Sequence, residues 1–414
     1  MATSTGQTVV CLASFEKGYA FLEECKQLGW RVILVTVPAL EHVGWPRESV
    51  DELHLMPDLA NVADVIKGVS YLARTRDIAR IVPLDDYDVE TAAALREHLR
   101  LPGMGLSQAR LFRDKLAMRV RASEADIPVP GFVHVLNHDA IREFTERVPA
   151  PWVLKPRSEV STIGIAKIES ADELWPRIEE LGDRQSCFVL ERFVPGDVCH
   201  VDALVFDGEM IFAEAHQYAR PPLEVFHGGG IAMTRTIPRA AEHAEALRAL
   251  AGQVLAALGM WRGAVHVEFI RGRDDGQLYF LEAGARVGGA NTAEMVEAAT
   301  GINLWREWAK IALTPVHGSY VLPHRRSEYG GVIVTLARQE YPNTSGYQEP
   351  EIVWRMEKHH HVGFVLRSTD PERVTVLLDE YARRFDEEFH ASLPPITDPK
   401  AVRDAHLAEN APQE

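Results

Sequence analysis

The sequence predicts an α/β protein with a parallel sheet in its N-terminal part and a small α+β unit at its C-terminal end. Two observations support this fold class. Short apolar segments alternate with amphipathic segments between residues 8 and 99, which is typical of parallel strands joined by right-handed helical crossovers. After residue 314 the pattern changes to isolated strand-like segments and one helix, which indicates an appended unit of a different kind.

The N-terminal alternation predicts each element in turn. Strands are predicted at TVVCLAS, RVILVTV, ELHLMP and RIVPL, and helices at GYAFLEECKQLGW, NVADVIKGVSYLART and DVETAAALREHL. The first strand–helix turn, SFEKG, holds a single glycine. Because this turn lacks the three-glycine fingerprint of dinucleotide-binding folds, dinucleotide binding is not expected.

The rest of the chain is divided by proline and glycine. A long helix is predicted over residues 106–127, followed by strands within VLKPR, CFVLERFVPG and HVDALVFDGEMIFAEAHQY. The segment RPPLEVFHGGGIAMTRTIP is predicted to be a long loop. These changes in pattern predict four domains or subdomains, at residues 1–105, 106–190, 191–315 and 316–414, the last with a frayed tail, DPKAVRDAHLAENAPQE.

Composition narrows the function classes. The chain has 414 residues, 46% hydrophobic and 25% charged, with a net charge of −16. This charge disfavours nucleic acid and anionic membranes as partners but leaves local anion pockets possible. The four cysteines show no metal-ligand spacing, so reduced core thiols in a cytoplasmic protein are expected. No segment approaches the length of a membrane span.

Two strand-like segments carry one glutamate each, GAVHVEFIRG with Glu268 and QLYFLEAGAR with Glu282. Asp274 to Gly276 between them predict a hairpin turn. A ladder centred near Asp275 places Glu268 opposite Glu282, Ile270 opposite Phe280 and Gly272 opposite Leu278. The two carboxylates then share one face, with Cβ atoms roughly 5 Å apart. Ionised, they would repel by about 3 kcal/mol at an effective dielectric constant of about 20, so a proton or a cation is expected between them.

Three interpretations of this pair compete. Two solvated glutamates on an exposed strand face are the simplest. Two carboxyl groups about 5 Å apart also suit a retaining glycosidase. The third interpretation is a divalent cation site, and it is favoured because Arg286 follows the second strand and basic residues lie upstream. Paired carboxylates with phosphate oxygens are typical cation ligands, and an arginine suits a phosphate or a developing oxyanion.

Two upstream lysines complete the candidate site. Lys155 ends an apolar strand and precedes a loop of small residues that includes Ser161. The backbone N–H groups of such a loop are suited to hold phosphate oxygens. A lysine reaching solvent from a strand end is the simpler alternative. Lys115 lies on a basic helix, where a solvated helix face is equally simple. Glu191 ends a second apolar strand before a proline and a glycine, which suggests a hinge beside a flat ligand such as adenine. An ordinary strand followed by a turn explains the local pattern at least as well.

Taken together, these segments resemble the ATP-grasp superfamily. The resemblance rests on five blocks in the family's order between about residues 106 and 310: RDKLAMR, VLKP with its STIG loop, VLERFVPGD, HVEF and LEAGARVGG. It implies an ATP-grasp fold with a small lobe and a catalytic lobe, preceded by a Rossmann-like N-terminal domain. Within the superfamily, the GARVGG ending and the C-terminal strands look most like the L-amino-acid (dipeptide) ligases.

The resemblance implies a role for each block. Lys115 and Lys155 would contact the ATP phosphates, and Glu268 and Glu282 would bind Mg²⁺, for which Mn²⁺ can substitute. Arg286 would stabilise an acyl phosphate and a tetrahedral intermediate. The adenine and ribose would be held by residues of the predicted hinge, namely Glu191, Arg192, Phe193, Val194 and Asp197. Further candidates for substrate contacts are His266, His227, Gly288, Gly289 and Asn291.

Three segments depart from the family pattern. Gly284 stands where an asparagine is common, so the metal would rely on the two glutamates, or on Asn291 from the following loop. Val198 stands where the hinge often has a glutamate, which leaves the ribose contact open. Glu159 and Val160 replace frequent glycines in the loop after Lys155, which suggests a less mobile lid.

The sequence therefore predicts an ATP-dependent carboxylate–amine ligase that acts on small carboxylic and amino acids and releases ADP and phosphate. Two alternatives remain open at this stage. One is a carboxylase-type ATP-grasp enzyme that works through carboxyphosphate, and the other is an ATP-binding module without catalysis. A homodimer is plausible for such ligases.

Overall fold

The computed structural model describes residues 6–160 and 162–392. Two predictions fall outside this part of the chain: the phosphate contact of Ser161 and the frayed tail at residues 398–414.

The N-terminal residues form a four-stranded parallel sheet in the order β3-β2-β1-β4. Its elements are β1 (Thr8–Ala13), α1 (Tyr19–Gln27), β2 (Arg31–Thr36), β3 (Glu52–Leu55), α2 (Val62–Leu72), β4 (Ile78–Pro83) and α3 (Val89–Leu99). The predicted parallel sheet is confirmed, with every predicted strand and helix present. Because β1 and β4 are neighbouring parallel strands, the loops that follow them lie side by side at one edge of the sheet.

A second, antiparallel sheet has the order β5-β8-β6-β7. This segment contains α4 (Leu106–Ala109), α5 (Lys115–Glu124), β5 (Phe132–His134), α6 (His138–Arg147), β6 (Trp152–Pro156), β7 (Ala166–Ile168), α7 (Ala171–Leu181) and β8 (Phe188–Arg192). The single long helix predicted over residues 106–127 is wrong, since a 3₁₀ turn separates α4 from α5. Asp114 causes the new start, because its carboxylate caps α5 by accepting hydrogen bonds from the N–H groups of Leu116 and Ala117.

The third sheet has eight strands in the order β13-β12-β9-β10-β11-β14-β16-β15. Its segment contains β9 (Gly196–Phe206), β10 (Glu209–Tyr218), α8 (Pro222–Gly228), β11 (Ala232–Thr236), α9 (Glu242–Leu258), β12 (Gly263–Gly272), β13 (Leu278–Gly284), α10 (Thr292–Thr300), α11 (Leu304–Leu313), β14 (Tyr329–Leu336), β15 (Ile352–Arg355), β16 (His361–Ser368) and α12 (Pro371–Glu388).

The predicted long loop after β10 is wrong, because it contains α8 and β11. Strand β11 pairs with β10 on one side and with β14 on the other. The C-terminal strands therefore continue the same sheet that carries the two glutamates. The domain boundaries drawn from the sequence remain predictions.

The N-terminal sheet shares a hydrophobic core with the eight-stranded sheet. Helices α1 and α11 pack together at this junction, where the rings of Phe21 and Trp308 lie 5.2 Å apart. Burying a phenylalanine side chain stabilises such a junction by about 1.5–3 kcal/mol. This packing places the loop after β4 beside the end of β13.

Three of the four cysteines, Cys11, Cys25 and Cys199, are buried as expected. The expectation is wrong for Cys187, which is exposed because it lies in the 3₁₀ turn that precedes β8. Among the described residues, no helix is long and apolar enough to cross a membrane.

Candidate active site

Glu268 and Glu282 lie directly opposite each other on the antiparallel strands β12 and β13, as predicted. The predicted register further along the hairpin is wrong, since Ile270 faces Tyr279 and Phe280 faces Phe269. A β-bulge between Glu268 and Phe269 shifts the pairing by one residue. The bulge turns Phe280 into the core beside Phe269, both fully buried, while the two glutamates keep a common face.

Each glutamate has its own cationic or polar partner. The Lys115 ammonium lies 2.9 Å from Glu282 Oε2. Glu268 Oε1 accepts a hydrogen bond from the Tyr218 hydroxyl at 2.9 Å and lies 3.4 Å from His266 Nε2. The predicted need for compensating charge is therefore met within the chain by a lysine and a histidine.

A second carboxylate makes His266 a cation. Burial alone would lower the pKa of His266, but Asp202, 3.0 Å from its Nδ1, and Glu268 raise that pKa to about 10. Burial would in turn raise the pKa of Glu268, and the bonds from His266 and Tyr218 instead lower it to about 2. Near neutral pH the pair is thus an imidazolium and a carboxylate, and Glu268 is held ionised.

Lys155 and Glu191 form a buried ion pair in the four-stranded antiparallel sheet. The Lys155 ammonium lies 2.8 Å from Glu191 Oε2, and Arg119 Nε lies 2.9 Å from Glu191 Oε1. Burial lowers the pKa of Lys155 to about 8, although Glu191 opposes this shift. Burial also raises the pKa of Glu191, but Arg119 and Lys155 outweigh it and keep that pKa below its usual value.

The predicted hinge residues follow from β8 into β9. The backbone N–H groups of Arg192 and Phe193 already donate to the carbonyls of Gly131 and Pro151. Val194 is buried. The carboxylate of Asp197 lies 2.8 Å from an Arg271 nitrogen, so the candidate ribose acid is held by a neighbouring strand.

Arg286 contacts an acid that the sequence argument missed. Its Nε donates to Asp86 Oδ2, and its Nη1 donates to the carbonyl of Val287 at 2.9 Å. Asp86 lies in the loop after β4, next to Asp85, whose carboxylate pairs with Lys17. Arg113 approaches the same Asp86 carboxylate at 3.9 Å. The N-terminal sheet therefore supplies a buried carboxylate to the candidate site.

Gly284 explains how Asp86 approaches so closely. A Cβ atom at this position would lie 3.0 Å from Asp86 Oδ1 and 3.5 Å from Arg286 Cγ. An asparagine side chain here would displace the Asp86 carboxylate. The sequence signal was present in the acidic segment LDDYD, but its partner lies 200 residues away in the chain.

The loop after Lys155 accepts hydrogen bonds from residues at the start of α5. Arg113 donates to the carbonyl of Ser158 at 2.6 Å, and the Lys115 ammonium donates to the carbonyl of Glu159 at 2.6 Å. Lys115 therefore contacts this loop and Glu282 at once, which brings both predicted phosphate-binding lysines toward one region of the protein.

The remaining candidates occupy two loops. Gly288, Gly289 and Asn291 lie between β13 and α10, and Asn291 has a φ of 59° at the N-terminal cap of α10. His227 falls within α8, where its side chain lies outside the described part of the chain.

Comparison with protein families identifies the segment that carries most of these residues. Residues 148–294 match the ATP-grasp domain family. The chain contains an ATP-grasp domain. The matched segment includes Lys155, Glu191, both glutamates and Arg286, whereas Lys115 and Asp86 precede it.

The chain is also similar to named proteins along most of its length. The chain is 23% identical to an L-arginine-specific L-amino acid ligase of Bacillus subtilis over 74% of this chain and 76% of that protein. The crystal structure of L-amino acid ligase from Bacillus licheniformis superposes with a TM-score of 0.75 at 19% identity, covering 94% of this chain and 99% of that one. An ADP complex of N5-carboxyaminoimidazole synthetase from Staphylococcus aureus gives a TM-score of 0.70 at 16% identity, covering 91% and 97%. At such identities, the two structures show that the chain shares their overall fold.

The donor set of this ATP-grasp domain fits a hard divalent cation. Two carboxylates face each other across one strand pair, and oxygen ligands of this kind suit Mg²⁺ or Mn²⁺. Only one oxygen of Glu268 is engaged by side chains that the structure describes, since Tyr218 and His266 both reach Oε1. The second oxygen is therefore available as a ligand.

Proposed function

We propose that this protein is an ATP-dependent carboxylate–amine ligase that joins small carboxylic or amino acids through an acyl phosphate and releases ADP and phosphate. The observation that carries the proposal is the facing pair Glu268 and Glu282, surrounded by Lys115 and Arg286. This is a site for charge neutralisation rather than for a covalent nucleophile, which is what phosphoryl transfer requires. The likeness to L-amino acid ligases supports amino acids as substrates.

The residues divide the chemistry between them. Lys115 and Lys155 would hold the ATP phosphates, while Glu191 and the hinge would hold the adenine and Asp197 the ribose. Glu268 and Glu282 would hold the divalent cation, which when bound neutralises the phosphate charge. Ser161 and the glycine-rich segment Gly288–Gly289 would line the phosphate and substrate regions.

The first reaction step transfers the γ-phosphoryl group of ATP to the carboxylate of the first substrate. A carboxylate oxygen of the first substrate attacks the γ-phosphorus, the bond to the bridging oxygen breaks, and ADP leaves. Lys115, Lys155 and Arg286 would spread the negative charge of the transferring phosphoryl group. Positioning accounts for most of the rate enhancement, because the phosphorus needs no protein nucleophile.

The second step forms the amide. The amine of the second substrate attacks the acyl carbon, loses a proton, and expels phosphate. Arg286 would stabilise the tetrahedral oxyanion, with Asp86 fixing the direction of its guanidinium group. Candidates for contacts with the second substrate are His227 and Asn291.

A screen of amino-acid pairs with ATP and Mg²⁺ tests this proposal. Phosphate release would be followed colorimetrically, and products would be identified by mass spectrometry. We expect phosphate release that requires both a carboxylate and an amine, with a dehydrated product of the two. Turnover that depends on bicarbonate alone would instead favour a carboxylase, and nucleotide binding without turnover in any mixture would favour a module without catalysis.

A further inference from the structure

A fully enclosed polar cluster lies behind Glu268 in the eight-stranded sheet. It consists of His200 and Asp202 on β9 and His266 on β12. In the antiparallel pairing of β9 with β12, His266 faces Asp202 and Glu268 faces His200. Directly opposed residues share one face of a sheet. The four side chains therefore form a square on the face that carries the candidate metal site.

Hydrogen bonds connect these four side chains in series, with Asp202 between the two histidines and Glu268 at one end. Asp202 Oδ2 lies 2.7 Å from His200 Nδ1, and Asp202 Oδ1 lies 3.0 Å from His266 Nδ1. The far nitrogen of His200 lies 3.0 Å from the Thr234 hydroxyl, and that of His266 faces Glu268 Oε1 at 3.4 Å. Both imidazole rings are therefore held at both nitrogens.

The distances among His200, Asp202 and His266 indicate hydrogen bonds between these residues and not a metal ion bound by all three. The ligand atoms of His200, Asp202 and His266 lie within 4.8 Å of one another. However, two ligands of a tetrahedral zinc ion, with bonds of about 2.0–2.1 Å, stand about 3.3 Å apart. Separations of 2.7 and 3.0 Å to the two carboxylate oxygens are those of hydrogen bonds.

The glycine-rich loop after β13 closes over the same carboxylate. A Cβ atom on Gly288 would lie 2.5 Å from Asp202 Oδ1 and 2.9 Å from His266 Nδ1. No side chain fits at such distances, so this position needs glycine for close approach. The loop that starts with Arg286 therefore rests directly on the Asp202–His266 pair.

We propose that Asp202 and His266 are positioning residues that orient the metal-binding carboxylate of Glu268. His266 and Tyr218 fix Glu268 Oε1, which directs Oε2 toward Glu282 and the cation. Asp202 fixes the ring orientation of His266, as outer carboxylates do for ligands in metal sites. This inference rests on the proposed function, because it assumes that Glu268 binds the cation of a metal–nucleotide complex.

Binding measurements on the purified full-length protein test the inference without relying on turnover. Calorimetry would measure the affinity for ADP alone and for ADP with Mn²⁺, and electron paramagnetic resonance would count bound Mn²⁺. For Asp202→Asn we expect the metal-dependent affinity to fall about tenfold or more, with the affinity for ADP alone unchanged. His266→Phe keeps a buried ring without the bonds and should give the same loss, which maintains the test if one variant folds poorly.

Glu214→Gln is the matched control. Glu214 faces Asp202 on β10, is equally buried, and forms a bidentate pair with Arg239, but it does not contact Glu268. Equal losses of metal affinity in Glu214→Gln and Asp202→Asn would overturn the inference in favour of a general packing effect. Unchanged metal affinity in both Asp202→Asn and His266→Phe would also overturn it. A wild-type protein without metal-dependent nucleotide binding would overturn the proposed function itself, and the inference with it.

Discussion

Replacing Asp86 by asparagine tests whether the N-terminal sheet holds Arg286 for catalysis. The substitution keeps the size of the side chain and removes the charge that faces the guanidinium group. The affinity for ATP should stay near that of the wild type, because Lys115 and Lys155 are untouched. We expect kcat to fall about a hundredfold, since a displacement of about 1 Å in a catalytic group can cost that much.

The cost in stability follows from the charge of Asp86. Burial would raise its pKa, but Arg286 and Arg113 lower it from 3.8 to about 2. Each pKa unit corresponds to about 1.4 kcal/mol, so the ionised carboxylate contributes about 2 kcal/mol to the free energy of unfolding at neutral pH. This contribution is present above the unfolded-state pKa of 3.8 and is lost as the pH falls through 2.

Two assays follow from these values. ADP release in a coupled assay gives kcat and KM, and chemical denaturation at pH 7 and at low pH gives the free energy of unfolding, with Glu214→Gln as the control for loss of a buried pair. A kcat within twofold of the wild type would refute a role of Asp86 in holding Arg286. A difference in unfolding free energy that persists undiminished near pH 2 would refute the charge argument.

Three further predictions concern other parts of the protein. Since the pKa of Lys155 in the free protein is about 8, its ammonium form is about tenfold scarcer at pH 9 than at pH 7. The dissociation constant for ATP, measured by calorimetry, should therefore rise about tenfold between these two pH values. Lys155→Arg should remove most of this pH dependence. Glu282→Ala and Arg286→Ala should each abolish ligation while leaving the circular dichroism spectrum unchanged, and turnover in either variant would remove that residue from the site. Ellman's reagent should label Cys187 alone under native conditions, because the other three thiols are buried; prompt labelling of a second thiol would contradict the packing described above.

The pairing of Glu268 with Glu282 could be predicted from the sequence, because a ladder centred near Asp275 places these two residues opposite each other. Nearer the turn the strands pair one residue away from that ladder, and the bulge beside Glu268 restores the predicted pairing at the two glutamates. The bulge beside Glu268 was beyond such reasoning, since burial of Phe269 and Phe280 in one core decides it. Strand β11 was missed for a related reason: its segment is rich in proline and glycine, and its strand pairing comes from partners on both sides.

Contacts between segments that are distant in the sequence were the hardest to predict. Asp86 and Arg286 are 200 positions apart, and their meeting depends on the packing of α1 against α11. Gly284 appeared in the sequence only as a missing metal ligand. The structure gives it a positive role, because its lack of a side chain leaves space for the Asp86 carboxylate.

Lys115 couples the binding of the nucleotide to the binding of the cation. Its ammonium group bonds Glu282 at 2.9 Å and the carbonyl of Glu159 at 2.6 Å. A nucleotide that arrived without the cation would draw Lys115 toward its phosphates and leave Glu282 uncompensated beside Glu268. A cation that arrived alone would compete with the same ammonium group. Each ligand removes the obstacle to the other, so ATP and the divalent cation should bind with positive cooperativity that is reciprocal between them.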